Sequence, residues 1–184
     1  MRRKAMVAAL AAWGVMAGAA LSGGVPLGDD GLHKPDWLKD SFRDVREDAA
    51  EAAAAGRVLM LLVEQRGCIY CAELHETVLT DPRIDRLIRE RFDVVQIDLF
   101  GGTDVTDSDG EVLSEKRMAG KWGVTVTPTL MLMPATIPEG VSAPRAAMAV
   151  VPGVLDADRM LALLDWAVAG GPGAGRTLAE VLRK

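Results

Sequence analysis

The sequence predicts an α/β fold, with a central mixed sheet of about four strands flanked by helices, an N-terminal arm and a C-terminal tail. Three observations predict it. Short apolar runs alternate with longer stretches of helical periodicity, the pattern of strands joined by helical crossovers. The run Val58-Leu59-Met60-Leu61-Leu62-Val63 is continuous rather than alternating, as expected for a strand covered on both faces. Two later runs, Thr129 to Met133 and Ala146 to Val151, are joined by a short connection and should pair antiparallel, which makes the sheet mixed.

The elements follow in chain order. Ser41 is placed to cap a first helix, with Asp44 at the capping-box position and Phe42, Val45 and Ala49 on one face. Gly56 can close that helix in the left-handed conformation. The strand from Arg57 to Gln65 comes next, and a helix leads from Cys68 towards Thr80. Asp81-Pro82 starts another helix, with proline at its first position and Ile84, Leu87, Ile88 and Phe92 as its apolar face. A strand from Val94 to Leu99 follows. Gly101 to Gly110 reads as a loop rich in Gly, Asp and Thr. Ser114 caps a short helix to about Ala119. After the two late strands, Pro152-Gly153 turns into a helix from about Asp156 to Val168, with Met160, Leu161, Leu164 and Val168 inward. Gly170 to Gly175 is a glycine-rich linker, and Leu178, Val181 and Leu182 mark a short amphipathic tail.

The chain has 184 residues, the size of one domain with extensions. Its formal charge is -5, and removal of Arg2, Arg3 and Lys4 would leave it more acidic still. A nucleic-acid partner needs a basic footprint, so that class is excluded, as is docking on an anionic membrane surface. The chain is expected to act as a monomer.

Arg2-Arg3-Lys4 followed by the uncharged stretch Ala5 to Leu21, with small residues at Gly18-Ala19-Ala20, is the pattern of a secretory signal peptide over residues 1–20. The alternative is a retained N-terminal anchor, if the apolar segment continues to Leu27. Either reading puts the rest of the chain outside the cytoplasm. Residues 21–40, rich in Gly, Pro and Asp, read as a flexible arm. The folded domain spans 41–169, and 170–184 hold the linker and tail.

The only two cysteines, Cys68 and Cys71, stand as C-x-x-C between a hydrophobic strand and the helix it opens. The first cysteine then meets free N–H groups and the positive end of the helix dipole, which favour thiolate. A thiolate attacks a disulfide to form a mixed disulfide. The second cysteine, one turn on, can release the partner. Cys68 is thus the expected nucleophile and Cys71 the resolving thiol. A structural disulfide is the lesser reading, since so short a loop stabilises little.

Far downstream, Gly123-Val124-Thr125-Val126-Thr127-Pro128-Thr129-Leu130 runs into an apolar strand. With the C-x-x-C, this resembles the thioredoxin superfamily over about Ser41 to Ala169. The resemblance implies the thioredoxin fold and thiol–disulfide oxidoreductase activity. It also implies a cis-Pro128 facing the cysteines, with Thr127 offering backbone groups to a substrate chain. Ile69 and Tyr70 would join the substrate surface. No cofactor is implied beyond the Cys68–Cys71 disulfide. Gln65-Arg66-Gly67-Cys68-Ile69-Tyr70-Cys71 with Leu74-His75, and Leu113-Ser114-Glu115-Lys116 leading to Trp122-Gly123-Val124, are similar to bacterial periplasmic thioredoxin-like proteins of the SoxW or SoxS type. That likeness implies a periplasmic reductase of protein disulfides, supplied with electrons by a membrane thiol transporter. Two departures stand out. The residues between the cysteines are Ile69-Tyr70, and Leu62 stands six residues before Cys68, where thioredoxins bury an aspartate.

Other candidates have plainer readings. Glu64 could relay a proton, but a solvated rim charge is the default. His75, four residues after Cys71, could complete a Cys-Cys-His copper or zinc site in a metal chaperone. A fourth ligand is not evident, so an exposed helical position is expected and no metal is assigned. A non-catalytic adaptor is the remaining alternative. Asp104, Asp107 and Asp109 resemble part of a calcium loop without its terminal glutamate, and a solvated loop is expected. Trp37, Trp122 and Trp166 read as packing residues, and His33 falls in the arm.

Overall fold

The computed structural model describes residues 24–183. The signal-peptide and anchor readings of the N-terminus fall outside the described residues. Among those described, no helix is long and apolar enough to cross a membrane.

Four strands form the central sheet: β1 (Val58–Glu64), β2 (Phe92–Asp98), β5 (Thr129–Leu132) and β6 (Ala149–Pro152), in the order β2-β1-β5-β6. β1 pairs parallel with β2 and antiparallel with β5, and β6 pairs antiparallel with β5. Successive strand residues point to opposite faces, and this explains the unbroken apolar run of β1. Met60 and Leu62 face a core shared with α3 (Pro82–Arg91), α6 (Ala157–Val168) and α7 (Leu178–Val181). Leu59, Leu61 and Val63 face a second core, shared with α1 (Val45–Ala54) and α4 (Glu115–Lys121). The result is a helix–sheet–helix sandwich with α2 (Ile69–Glu73) directly after β1.

Four expectations need correction. The first helix begins at Val45, and Asp44, not Ser41, caps it by accepting the N–H groups of Arg46 and Glu47. Arg43 takes a positive φ of 60°, and its carbonyl accepts the Thr106 N–H. The chain is thereby drawn into bridge pairing before the helix starts, and Phe42 is left 98% exposed. Phe92 does not extend α3; it is the first residue of β2, paired with Val58.

The loop from Gly101 to Gly110 is not a plain solvated loop. It contains β3 (Asp104–Thr106), which pairs antiparallel with β4 (Val112–Ser114). Asp107 is buried and accepts the N–H groups of Ser108 and Ala143. Lys121 lies 2.8 Å from carboxylate oxygens of both Asp107 and Asp109, and this cation offsets the cost of burying the acid.

The segment expected as a loose arm is packed against the domain from Leu32 onward. Leu32 is buried, Leu38 bridges to Val94 at the outer edge of β2, and the Lys39 N–H bonds the Val94 carbonyl. The Lys39 ammonium meets Glu51, Asp48 and Asp93. A sheet edge has unpaired backbone groups that such a cover satisfies. At the other end, Val181 is fully buried against the core, and the indole N–H of Trp166 donates to the Arg176 carbonyl.

Candidate active site

β1 ends at Glu64, and a turn through Gln65, Arg66 and Gly67 delivers Cys68 to the start of α2. Gly67 adopts a φ of +70°, a conformation that glycine reaches without strain. Cys68 is the N-cap of α2 in extended conformation, and its Sγ accepts the Cys71 N–H at 3.0 Å. The two cysteines form a disulfide with Cα atoms 5.1 Å apart. Cys68 is partly exposed, whereas Cys71 is 2% exposed. Access therefore favours attack at Cys68.

The sheet register brings in the downstream motif. Val63 pairs with Thr129, so the residues before β5 lie beside the end of β1. The Thr127–Pro128 peptide bond is cis. Thr127 Oγ1 lies 3.3 Å from Cys68 Sγ, and the Thr127 carbonyl oxygen lies 3.5 Å from it. The Pro128 carbonyl accepts the Gly153 N–H at 2.7 Å, fixing the motif to the end of β6. Ile69 and Tyr70 are 74% and 57% exposed, and Val126 is also open. An apolar surface thus surrounds a polar sulfur.

Glu64 and His75 depart from their expected places. Neither is a rim or surface residue: they are 1% and 0% exposed. The Nε2 atom of His75 lies 2.9 and 3.0 Å from the two Glu64 carboxylate oxygens. Burial of each is compensated by the other, as buried polar groups require. The sequence order explains the meeting. Glu64 lies on the same face of β1 as Leu62 and Met60, and α2 folds back over that face. The helix continues from α2 through a π-helical turn at Leu74–Val78, which carries His75 inward.

Gln96 and Lys34, which the sequence did not single out, complete the cluster together with His33 and Trp37. Gln96 of β2 donates to Glu64 at 2.6 Å and to the His33 carbonyl at 2.9 Å, and it accepts from Lys34. The His33 ring stacks on His75 with centroids 4.6 Å apart, and the Trp37 ring centroid lies 6.3 Å from that of His75. Burial, and next the neighbouring His75, hold the His33 pKa below its ordinary value, against the opposing pull of Glu64 and Glu76. No periodicity marked His33 or Lys34, which sit in an irregular segment; a pattern of buried charge has no sequence period to show.

Among the described residues, no group of three or more His, Cys, Asp or Glu is placed to hold a metal ion. Cys68, Cys71 and His75 form no such group, and Nε2 of His75 is already taken up by Glu64.

Residues 45–167 match the family described as Thioredoxin-like domain. The chain belongs to that family. Among solved structures it is similar to a thioredoxin-fold protein from Helicobacter pylori, at 16% identity and a TM-score of 0.57, with 79% of this chain and 85% of that one covered. It is also similar to a thioredoxin from Thermus thermophilus, at 22% identity and a TM-score of 0.53, covering 72% and 90% of the two chains. These likenesses carry the fold. No curated protein matches the sequence.

Proposed function

We propose that this thioredoxin-like protein is a periplasmic thiol–disulfide oxidoreductase that reduces protein disulfides through Cys68 and Cys71. The observation that carries the reading is the pairing of a partly exposed Cys68, against Thr127 at the start of a helix, with a buried Cys71 in disulfide reach. In the dithiol form, the Cys68 thiolate gains from the Cys71 N–H and the Thr127 hydroxyl, both placed to donate to it. It attacks one sulfur of a substrate disulfide, and the other sulfur leaves as thiolate. Cys71 then attacks Cys68 Sγ, closing the Cys68–Cys71 disulfide and releasing the second substrate thiol. Ile69, Tyr70 and Val126 give an unfolded or extended chain an apolar place to lie, while the backbone of Thr127 offers it polar groups.

The periplasmic setting rests on the N-terminal basic-then-apolar pattern and the SoxW- or SoxS-like motifs. An electron supply from a membrane thiol transporter belongs to the same reading. The purified protein should catalyse reduction of insulin by dithiothreitol, and Cys68→Ser should abolish the catalysis. Unchanged turnover in that variant would remove the assignment.

A further inference from the structure

The resolving step has an unmet requirement. Cys71 attacks as thiolate, yet it is 2% exposed, so bulk water is poorly placed to take its proton. Burial in apolar surroundings also disfavours the thiolate. A proton acceptor inside the protein is needed, and the Glu64–His75 pair has its chemistry.

We propose that His75, held by Glu64, accepts the proton of Cys71 when Cys71 attacks the mixed disulfide at Cys68. The inference rests on the oxidoreductase reading above and adds a residue to it. Three observations support it. First, Cys71 in α2 and His75 in the π-helical turn that follows are four residues apart on one continuous helical stretch, so His75 lies about one turn beyond Cys71. Second, helical side chains lean towards the N-terminus, over the preceding turn. The His75 ring therefore leans towards the turn that carries Cys71. Third, Nε2 of His75 is engaged by both Glu64 oxygens. With Glu64 ionised, Nε2 carries the hydrogen and Nδ1 keeps the lone pair. Nδ1 is buried and has no hydrogen-bond partner.

The step balances. The Cys71 S–H proton passes to Nδ1, and the imidazolium that forms faces the Glu64 carboxylate. The Cys71 sulfur pair attacks Cys68 Sγ. The Cys68–substrate bond breaks, and its electron pair leaves on the substrate sulfur. No other oxidant or reductant is involved. The charged and polar groups around the imidazole are Glu64 from β1, Gln96 from β2, His33 and Lys34 from the N-terminal segment, and Glu76 from its own helix. A cleft of about 750 Å³ bordered by Trp37, His75 and Glu76 offers the proton a route to solvent afterwards.

The test uses the reduced full-length protein and the chromogenic disulfide 5,5'-dithiobis(2-nitrobenzoate) in stopped flow. Attack by Cys68 releases the first thionitrobenzoate in a phase that depends on reagent concentration. Attack by Cys71 releases the second in a phase that does not. In His75→Gln and Glu64→Gln, the second phase at pH 7 should slow on the order of 10²-fold, while the first changes by no more than about twofold. The slowed phase should climb tenfold per pH unit through pH 7 to 8, whereas the wild-type phase should not. Glu64→Asp, which keeps the carboxylate, should recover part of the rate.

Equal slowing of both phases, or a second phase with wild-type rate and pH profile in the variants, would overturn the role. Should a variant fail to fold, the wild-type profile decides alone: a second phase that climbs tenfold per unit through pH 7 to 8 contradicts the proposal. A wild-type protein with no second phase would instead sink the oxidoreductase reading itself.

Discussion

At Cys68, reactivity depends on what surrounds one sulfur atom. Two donors converge on it: the Cys71 N–H at 3.0 Å and the Thr127 hydroxyl at 3.3 Å. Hydrogen bonds to the charged form of an acid lower its pKa. Thr127→Val should therefore raise the Cys68 thiol pKa by ~1 unit, since a bond to a charged group contributes ~1.5 kcal/mol or more. The pH dependence of iodoacetamide alkylation of the reduced protein reads this directly. An unmoved profile would show that the hydroxyl does not serve the thiolate. His33 gives a second residue-scale prediction. Its pKa in the folded protein lies below the ordinary value of 6.5, chiefly through burial. Well above pH 6.5 it is neutral in both folded and unfolded chains, so no linkage arises. As the pH falls below that, the unfolded chain gains a proton that the folded protein resists, and stability falls until the lowered folded pKa is passed. The urea midpoint should decline as the pH falls below about 6.5, and His33→Phe should flatten the decline. The cysteine pair and Thr127-Pro128 were legible in the sequence because each stands in a motif. His33 and the burial of Glu64 were not, because each meets His75, which lies on another element 42 and 11 residues further along the chain.

At the level of elements, sequence and structure agree wherever one signal governs. β1 was legible as an unbroken apolar run, and α3 as an Asp-Pro start whose cap and proline both appear in place. Disagreement falls where a tertiary contact outweighs a local signal. Ser41 has the chemistry of a cap, but its hydroxyl donates to Asp48 and accepts from Arg43 instead, while pairing with β3 holds the chain extended. The β3–β4 hairpin hid in a polar, glycine-rich stretch because its strands have three residues each, too few to show alternation. One turn can be tested in isolation. Gly67 takes positive φ, and a Cβ there would meet nothing within 4 Å. Gly67→Ala should thus cost only the conformational strain, roughly 1–2 kcal/mol, with Gly67→Asn costing less. Urea unfolding measures both, and equal stability of all three proteins would mean that the turn relaxes.

For the whole molecule, the lesson concerns the N-terminal segment. Composition suggested an arm, since Gly, Pro and Asp dominate it. Yet its few apolar and ring side chains cover the outer edge of the sheet and the Glu64–His75 pair. Leu32 is 3% exposed, so Leu32→Ala should destabilise the protein by about 2–4 kcal/mol. A loose arm would leave the change within about 0.5 kcal/mol. The same packing links the exported-protein reading to the site: the residues after the expected leader form one wall of the cleft beside His75. The overall topology was legible because the apolar runs and their spacings dictate it, whereas the assembly of that wall depends on long-range contacts alone.

The central claim is that Cys68 and Cys71 exchange between disulfide and dithiol as the working cycle of the protein. It is tested most directly by equilibrating the protein in glutathione redox buffers and counting alkylated thiols by mass. The account predicts one reversible two-electron transition at these cysteines, with a potential of roughly −270 to −120 mV, the span of exchange-active members of the fold. A pair that stays oxidised below about −300 mV, as structural disulfides do, would contradict it.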